Sequence, residues 1–233
     1  MRFSERSLFI AGTVVSIVVI IIFVIWAEMD LSSLLAMSKE DGPLENLTAI
    51  LFGLSSICFI VFAKRSDFLK NKLAYVMTIG WVLLMFVFMG EEISWGQRIF
   101  SFATPEKLAE INKQDELNIH NIEKVDTFAG GKYRYLSIMM LTIGLLLPLF
   151  ALMAFGKRTI QRFAFPVTPF CYSALFVGAY LFGKHYQHNM GNGAAEVREF
   201  LMSFGMFCFA MHGGIYPCTL FRIRMPKEKV SNN

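Results

Sequence analysis

Stretches of about twenty residues with few or no charges recur along this chain, at residues 8–27, 44–63, 73–90, 135–155, 163–183 and 200–221. Each is long enough to cross a hydrocarbon core about 30 Å thick as an α-helix rising about 1.5 Å per residue. Only a structure that satisfies its own backbone hydrogen bonds can do so, and a helix is the simplest one. The bulk composition agrees, since 55% of the 233 residues are hydrophobic and 24 are phenylalanine. The expected fold is therefore all-α: residues 1–233 form a single integral membrane domain, a polytopic bundle of about six transmembrane helices. The first run is longer than a signal-peptide core, and "VIWAEMD" offers a poor small-residue cleavage site, so it reads as a retained first helix.

Charge distribution sets the expected orientation. The segments before the first run, between the second and third, between the fourth and fifth, and after the sixth hold 13 of the 22 lysines and arginines but only three acids. The positive-inside rule places these segments, and with them both termini, in the cytoplasm. The opposite face then receives 15 of the 18 acids, which played no part in choosing the orientation. The basic tail "RIRMPKEKV" reads as a topology anchor, and no nucleic-acid motif occurs. Cys58, Cys171, Cys208 and Cys218 all fall inside the apolar runs and never as Cys-x-x-Cys, so they are expected to be buried thiols, neither disulfides nor metal ligands.

The short inward connections make the second and third runs, and the fourth and fifth, antiparallel neighbours. The largest outward piece, residues 91–134, is expected to be a loop with an interfacial helix. In "ATPEKLAEINKQ", Thr104 suits an N-cap, Pro105 the first helical position and Glu106 the first turn. A loop of this length in a compact bundle points to function or mobility.

Topology gathers the polar residues on one side. Glu40, Asp41 and Glu45 stand at the outward start of the second run, and Glu91 and Glu92 at the outward end of the third. Glu116, Asn118, His120 and Asn121 lie in the outward loop, His185 and His188 follow the fifth run, and Glu196 and Glu199 open the sixth. Asp41, Glu45, Glu196 and Glu199 suit first turns, where the helix dipole favours a negative charge. Glu91 and Glu92 have no such local reason, because the dipole disfavours carboxylates at a helix C-terminus. Ionisable groups at the edge of the apolar layer mark functional sites. If the helix runs on through residue 100, Glu91, Trp95 and Arg98 share one face and Glu92, Gly96 and Ile99 the next, with Arg98 an internal countercharge for Glu91.

Candidate metal ligands are Glu92, Glu116, His120 and Glu196; Glu116 and His120 are four apart, as carboxylate and imidazole ligands are on one helical face. Glu92, Glu91 and Glu45 are the catalytic candidates, and Trp95, Gln97, Arg98, Asn118, Asn121, His185 and His188 the substrate-binding ones. His185 and His188 fit either chelation or an interfacial position. His212, beside Gly213 and Gly214 inside the sixth run, reads as a buried packing residue.

The strings "GEEISWGQRIF", "TPE" and "INKQDELNIHN", preceded by "EDGPLENLTAI", resemble those of a group of bacterial multi-pass membrane proteins of no assigned activity. The resemblance covers residues 40–121 and implies an inner-membrane protein. "EDGPLEN" also resembles the acidic N-terminal element of alkaline ceramidase-like membrane hydrolases, whose zinc sits among histidines on several spans. This chain departs from their pattern, with no Ser-x-x-x-His ahead of an acidic span and no His-x-x-x-His in the last one. Glycine-rich phosphate loops, G-x-S-x-G and HExxH are also absent.

Three functions fit these features. The first is a metal-dependent membrane enzyme: a divalent cation lowers the pKa of a water, and a carboxylate acts as general base on a lipid or lipid-linked substrate. The second is ion- or proton-coupled transport through Glu91 and Glu92, which requires a polar path inward. The third is a non-catalytic subunit that binds a membrane-protein partner through its outward acidic surface.

Overall fold

The computed structural model describes residues 5–64, 72–112, 117, 122, 132–163 and 166–215, and all regular structure among them is helical. Helix α1 (Glu5–Met29) leads through Asp30 into the short α2 (Leu31–Met37), followed by α3 (Pro43–Ala63) and α4 (Lys72–Glu92). A 3₁₀ turn (Ser94–Gly96) and two four-residue helices, α5 (Gln97–Phe100) and α6 (Glu106–Ala109), follow. Helix α7 (Lys132–Leu141) passes through a π turn (Thr142–Leu146) into α8 (Leu147–Leu152), then α9 (Ala154–Phe163), α10 (Ser173–Met190) and α11 (Asn192–Ile215).

Helices α1, α3 and α4 are long and apolar enough to cross a membrane, and α7 to α9 add a fourth crossing if the bent pair is one span. The side chains that face outward from them are large and apolar: Ile10, Val14, Ile22, Ile57, Val76 and Leu83 are each at least half exposed. A water-soluble surface does not sustain such bands, whereas hydrocarbon accepts them.

Apolar runs and helices coincide where the run is unbroken. The expected spans at 8–27, 44–63 and 73–90 lie within α1, α3 and α4, each helix reaching at most three residues further at an end. The expected run at 135–155 is helical from Lys132 to Leu152, interrupted by a π turn, and the expected span at 163–183 is corrected. Pro148 cannot donate to the carbonyl four residues back, and the ladder answers with the π turn, in which the Leu147 N–H reaches the Thr142 carbonyl. The chain then turns extended at Met153 and bends by 113°, so that α9 departs as a separate basic helix carrying Lys157, Arg158 and Arg162. Its Phe155, Lys157 and Arg158 are exposed. The following helix starts at Phe170–Tyr172, not at residue 163. The last one starts at Asn192, two turns before the expected residue 200. The N-cap of α6 is Pro105, one residue after the expected Thr104.

Helix α11 is the axis of the bundle, packed between α3 and α10; α3 packs in turn on α4, and α10 on α1. Its residues 193–199 are buried on every face. An aromatic cluster joins three helices where Phe209 meets Phe59 and Trp81 edge-on, each with ring centres 5.4 Å apart. On the α10 side, Gly144 of the π turn lies so close that a Cβ there would stand 2.1 Å from the Cβ of Phe176. Tyr172 Oη and His212 Nδ1 approach to 3.4 Å in the core, as expected of a buried packing histidine. Near the ends of α1 and α10 the Tyr186 hydroxyl donates to Glu28 Oε1 at 2.5 Å. Cys58, Cys171 and Cys208 are free thiols, and Cys218 lies outside the described residues.

Candidate metal centre

Trp81, Met85, Phe88 and Glu92 follow one another at spacings of four, three and four residues and so form one stripe along α4. Trp81 and Met85 are buried, and Phe88 packs on Phe52 of α3 at 5.3 Å. Glu92 ends this stripe, so its carboxylate points the way the core residues point. Glu196 and Glu199 are i and i+3 on α11 and share a face. From Trp81 to Glu92 is eleven residues along α4, and from Glu199 to Phe209 is ten along α11 in the opposite sense. The shared aromatic cluster therefore brings the three carboxylates to one level, about 15 Å along the helices from the ring contacts.

They converge. Carboxylate oxygens of Glu92, Glu196 and Glu199 all lie within 4.8 Å of one another, a group that could hold a metal ion. Glu196 and Glu199 are only 8% and 7% exposed, and Glu92 is half-buried. The donor set is all oxygen and bears three negative charges, which suits hard divalent cations such as magnesium, manganese or calcium better than thiolate- or imidazole-seeking metals. Around a cation with metal–oxygen distances of about 2.1 Å, octahedral ligand atoms lie roughly 3.0–4.2 Å apart. The observed separation accommodates that geometry.

Two of the three were expected on the metal, Glu92 and Glu196; Glu199 was expected at a helix start. Because α11 begins at Asn192, both acids of α11 stand beyond its first turn, and their capping role is overturned. Glu45 does cap: its Oε2 accepts the Asp41 N–H at 2.5 Å, closing the turn into α3 in which Asp41 adopts φ +61°.

The end of α4 departs from a continuous helix, and the expected common face of Glu91, Trp95 and Arg98 is lost with it. Ser94, Trp95 and Gly96 take φ of +45°, +53° and +86°, three successive left-handed residues of which only glycine adopts the region freely. Left-handed non-glycine residues cost about 1 kcal/mol or more each and concentrate at functional sites. The reversal folds the Trp95 indole back over Gly90, where a Cβ would come within 2.9 Å of the ring. Its Nε1–H donates to Glu91 Oε1 at 2.7 Å, so that oxygen of Glu91 is engaged in holding the indole. Gln97, a substrate-binding candidate, is used as a clasp: its Nε2 donates to Thr104 Oγ1 at 2.7 Å and its Oε1 accepts the Leu117 N–H at 2.6 Å. An isolated antiparallel bridge between Asn112 and Ile122 closes the same loop.

His185 and His188 stand exposed on the last turns of α10 and do not belong to the carboxylate group. Glu116, Asn118, His120 and Asn121, and the side chain of Arg98, lie outside the described residues. The residue that sequence reasoning passed over is Arg198, 3% exposed between the two glutamates of α11. A charged residue inside a small-residue stretch such as "GAAEVREF" is the signal that could have found it. No protein-family model, curated protein or solved structure matches the chain.

Proposed function

We propose that this is a bacterial inner-membrane protein of six crossings, with both termini cytoplasmic, in which Glu92, Glu196 and Glu199 bind a divalent cation on the outward side. We further propose that the cation serves a membrane enzyme acting on a lipid or lipid-linked substrate. The observation that carries this reading is the convergence of three carboxylates from two helices, two of them buried. Buried acids are retained in an apolar layer where a counter-charge makes use of them. The cation would polarise a substrate oxygen or lower the pKa of a bound water. The strained turn at residues 94–96 begins two residues after Glu92, and strained backbone of this kind concentrates at functional sites.

The transport reading needs a polar track inward from the glutamates. On the adjoining helices the buried hydroxyls of Thr48, Ser55, Thr78 and Ser203 donate to carbonyls of their own helices, and Ser56 donates to the Val82 carbonyl. With their protons committed to carbonyls, these hydroxyls do not form a donor chain for a moving proton, which favours the enzyme over proton-coupled transport.

Elemental analysis of detergent-purified protein after exposure to magnesium, manganese, calcium and zinc tests the reading. Near-stoichiometric retention of one hard cation by the wild type, lost in Glu92→Gln, is expected. Absence of any retained metal, or retention unchanged in Glu92→Gln, would overturn it.

A further inference from the structure

A cleft of about 320 Å³ lies on the other side of α11, lined by Ser137 of α7, Tyr180, Gly183, Lys184 and Gln187 of α10, and Arg198 of α11. Its volume falls at the small end of ligand pockets, which run from about 300 to 1,000 Å³. The polar lining is made of donors: a guanidinium, an ammonium, a carboxamide and two hydroxyls, with no carboxylate among these residues. Successive residues of an α-helix are about 100° apart, so Arg198 is turned about 100° from Glu199 and 160° from Glu196. Its side chain therefore leaves α11 toward α10, while the glutamates face α4.

Gly183 makes the path. A Cβ there would stand 3.1 Å from Cδ of Arg198, so the absent side chain provides the room in which the arginine stem crosses to the cleft. Arg198 is 3% exposed and enters from below, whereas Lys184 is exposed and stands at the rim. Gln187 Nε2 donates at 3.3 Å to the Gly191 carbonyl, which orients the amide at the turn between the two helices.

We propose that this cleft binds a phosphate-type oxyanion, contacted by Lys184 at its mouth and attracted by the charge of Arg198 buried at its base. The lysine ammonium offers three donors to phosphate oxygens, and the guanidinium stays charged at any working pH. Tyr180 brings a hydroxyl to the same lining. The anion is either the phosphate of a lipid headgroup or free phosphate, and the chemistry of recognition is the same for both. The inference stands on this cleft alone and is independent of whether the three glutamates hold a cation.

The test uses the full-length protein in neutral detergent, with three probes: inorganic phosphate by calorimetry, and phosphatidic acid and diacylglycerol by native mass spectrometry. Saturable binding of inorganic phosphate assigns the cleft to the free anion. Retention of phosphatidic acid over diacylglycerol, without phosphate binding, assigns it to a lipid headgroup. In either case Lys184→Gln, at an exposed position, weakens binding by about tenfold, the usual effect of losing one charge-assisted contact. Arg198→Met removes the buried charge and weakens it further; should that variant fail to fold, Lys184→Gln still decides. Binding of neither phosphate nor phosphatidic acid, or equal binding by wild type and folded Lys184→Gln, overturns the proposal.

Discussion

Glu199→Gln is expected to leave the metal-free protein at least as stable as the wild type while abolishing its response to divalent cations. One carboxylate oxygen from each of the three glutamates lies within 4.8 Å of the other two. At an effective dielectric constant near 20, two unit charges at that separation repel by about 3.5 kcal/mol. Three such pairs amount to roughly 10 kcal/mol, comparable to the whole stability of a typical domain. A fully ionised trio therefore requires counter-charge. Replacing Glu199 with its neutral isostere removes two of the three pairs, about 7 kcal/mol of repulsion before neighbouring charges take their share. A cation that binds the folded wild type at a hundred times its Kd stabilises it by about 2.7 kcal/mol. For a chain of this size that corresponds to a rise in Tm of roughly 5–10 °C. Thermal unfolding in detergent, in chelator and in a series of magnesium and manganese concentrations, measures both effects. A Glu199→Gln protein that is less stable than wild type in chelator, yet gains as much from the metal, would refute the reasoning. Glu199 would then be a structural partner, not a ligand.

Three other perturbations test the architecture. Gly144→Ala would set a methyl group 2.1 Å from the Cβ of Phe176, an atom fixed to its backbone, so α10 must move away; a loss of about 3 kcal/mol or more is expected in thermal denaturation. Gly90→Ala would displace the Trp95 indole and break its bond to Glu91; a red shift in tryptophan emission is expected, and an unchanged spectrum counts against the folded-back turn. The carboxyl of Asp30, at the start of α2, is held below its ordinary pKa by the Ser32 hydroxyl and the Ser33 N–H. Its contribution to capping is present above the unfolded-state pKa and is lost as the pH falls through the lower folded value; an NMR titration should show the midpoint rising in Ser32→Ala.

Legibility in the sequence followed the apolar runs. Helices α1, α3 and α4 could be placed within three residues because nothing polar interrupts them. The same rule misplaced the start of α11, since Glu196, Arg198 and Glu199 end the apolar run while the helix continues for two more turns toward its N-terminus. Those charges are buried by neighbours, which hydropathy cannot see. Glu92 was readable as an acid without a dipole reason, and its place four residues after Phe88 puts it on the core stripe. Its meeting with Glu199 was not readable, because that depends on how α4 and α11 pack through α3. The left-handed turn at residues 94–96 was missed for a different reason: "SWG" contains one glycine but takes three positive φ angles, and the indole they fold back rests on Gly90 and Glu91 just before it.

The central helix presents opposite signs of charge from consecutive positions, turned about 100° apart. A screw motion of α11 by a single residue, about 100° and 1.5 Å, would carry a carboxylate toward the sector Arg198 occupies and turn the guanidinium out of it. Its azimuth is thus a setting that both flanks read at once.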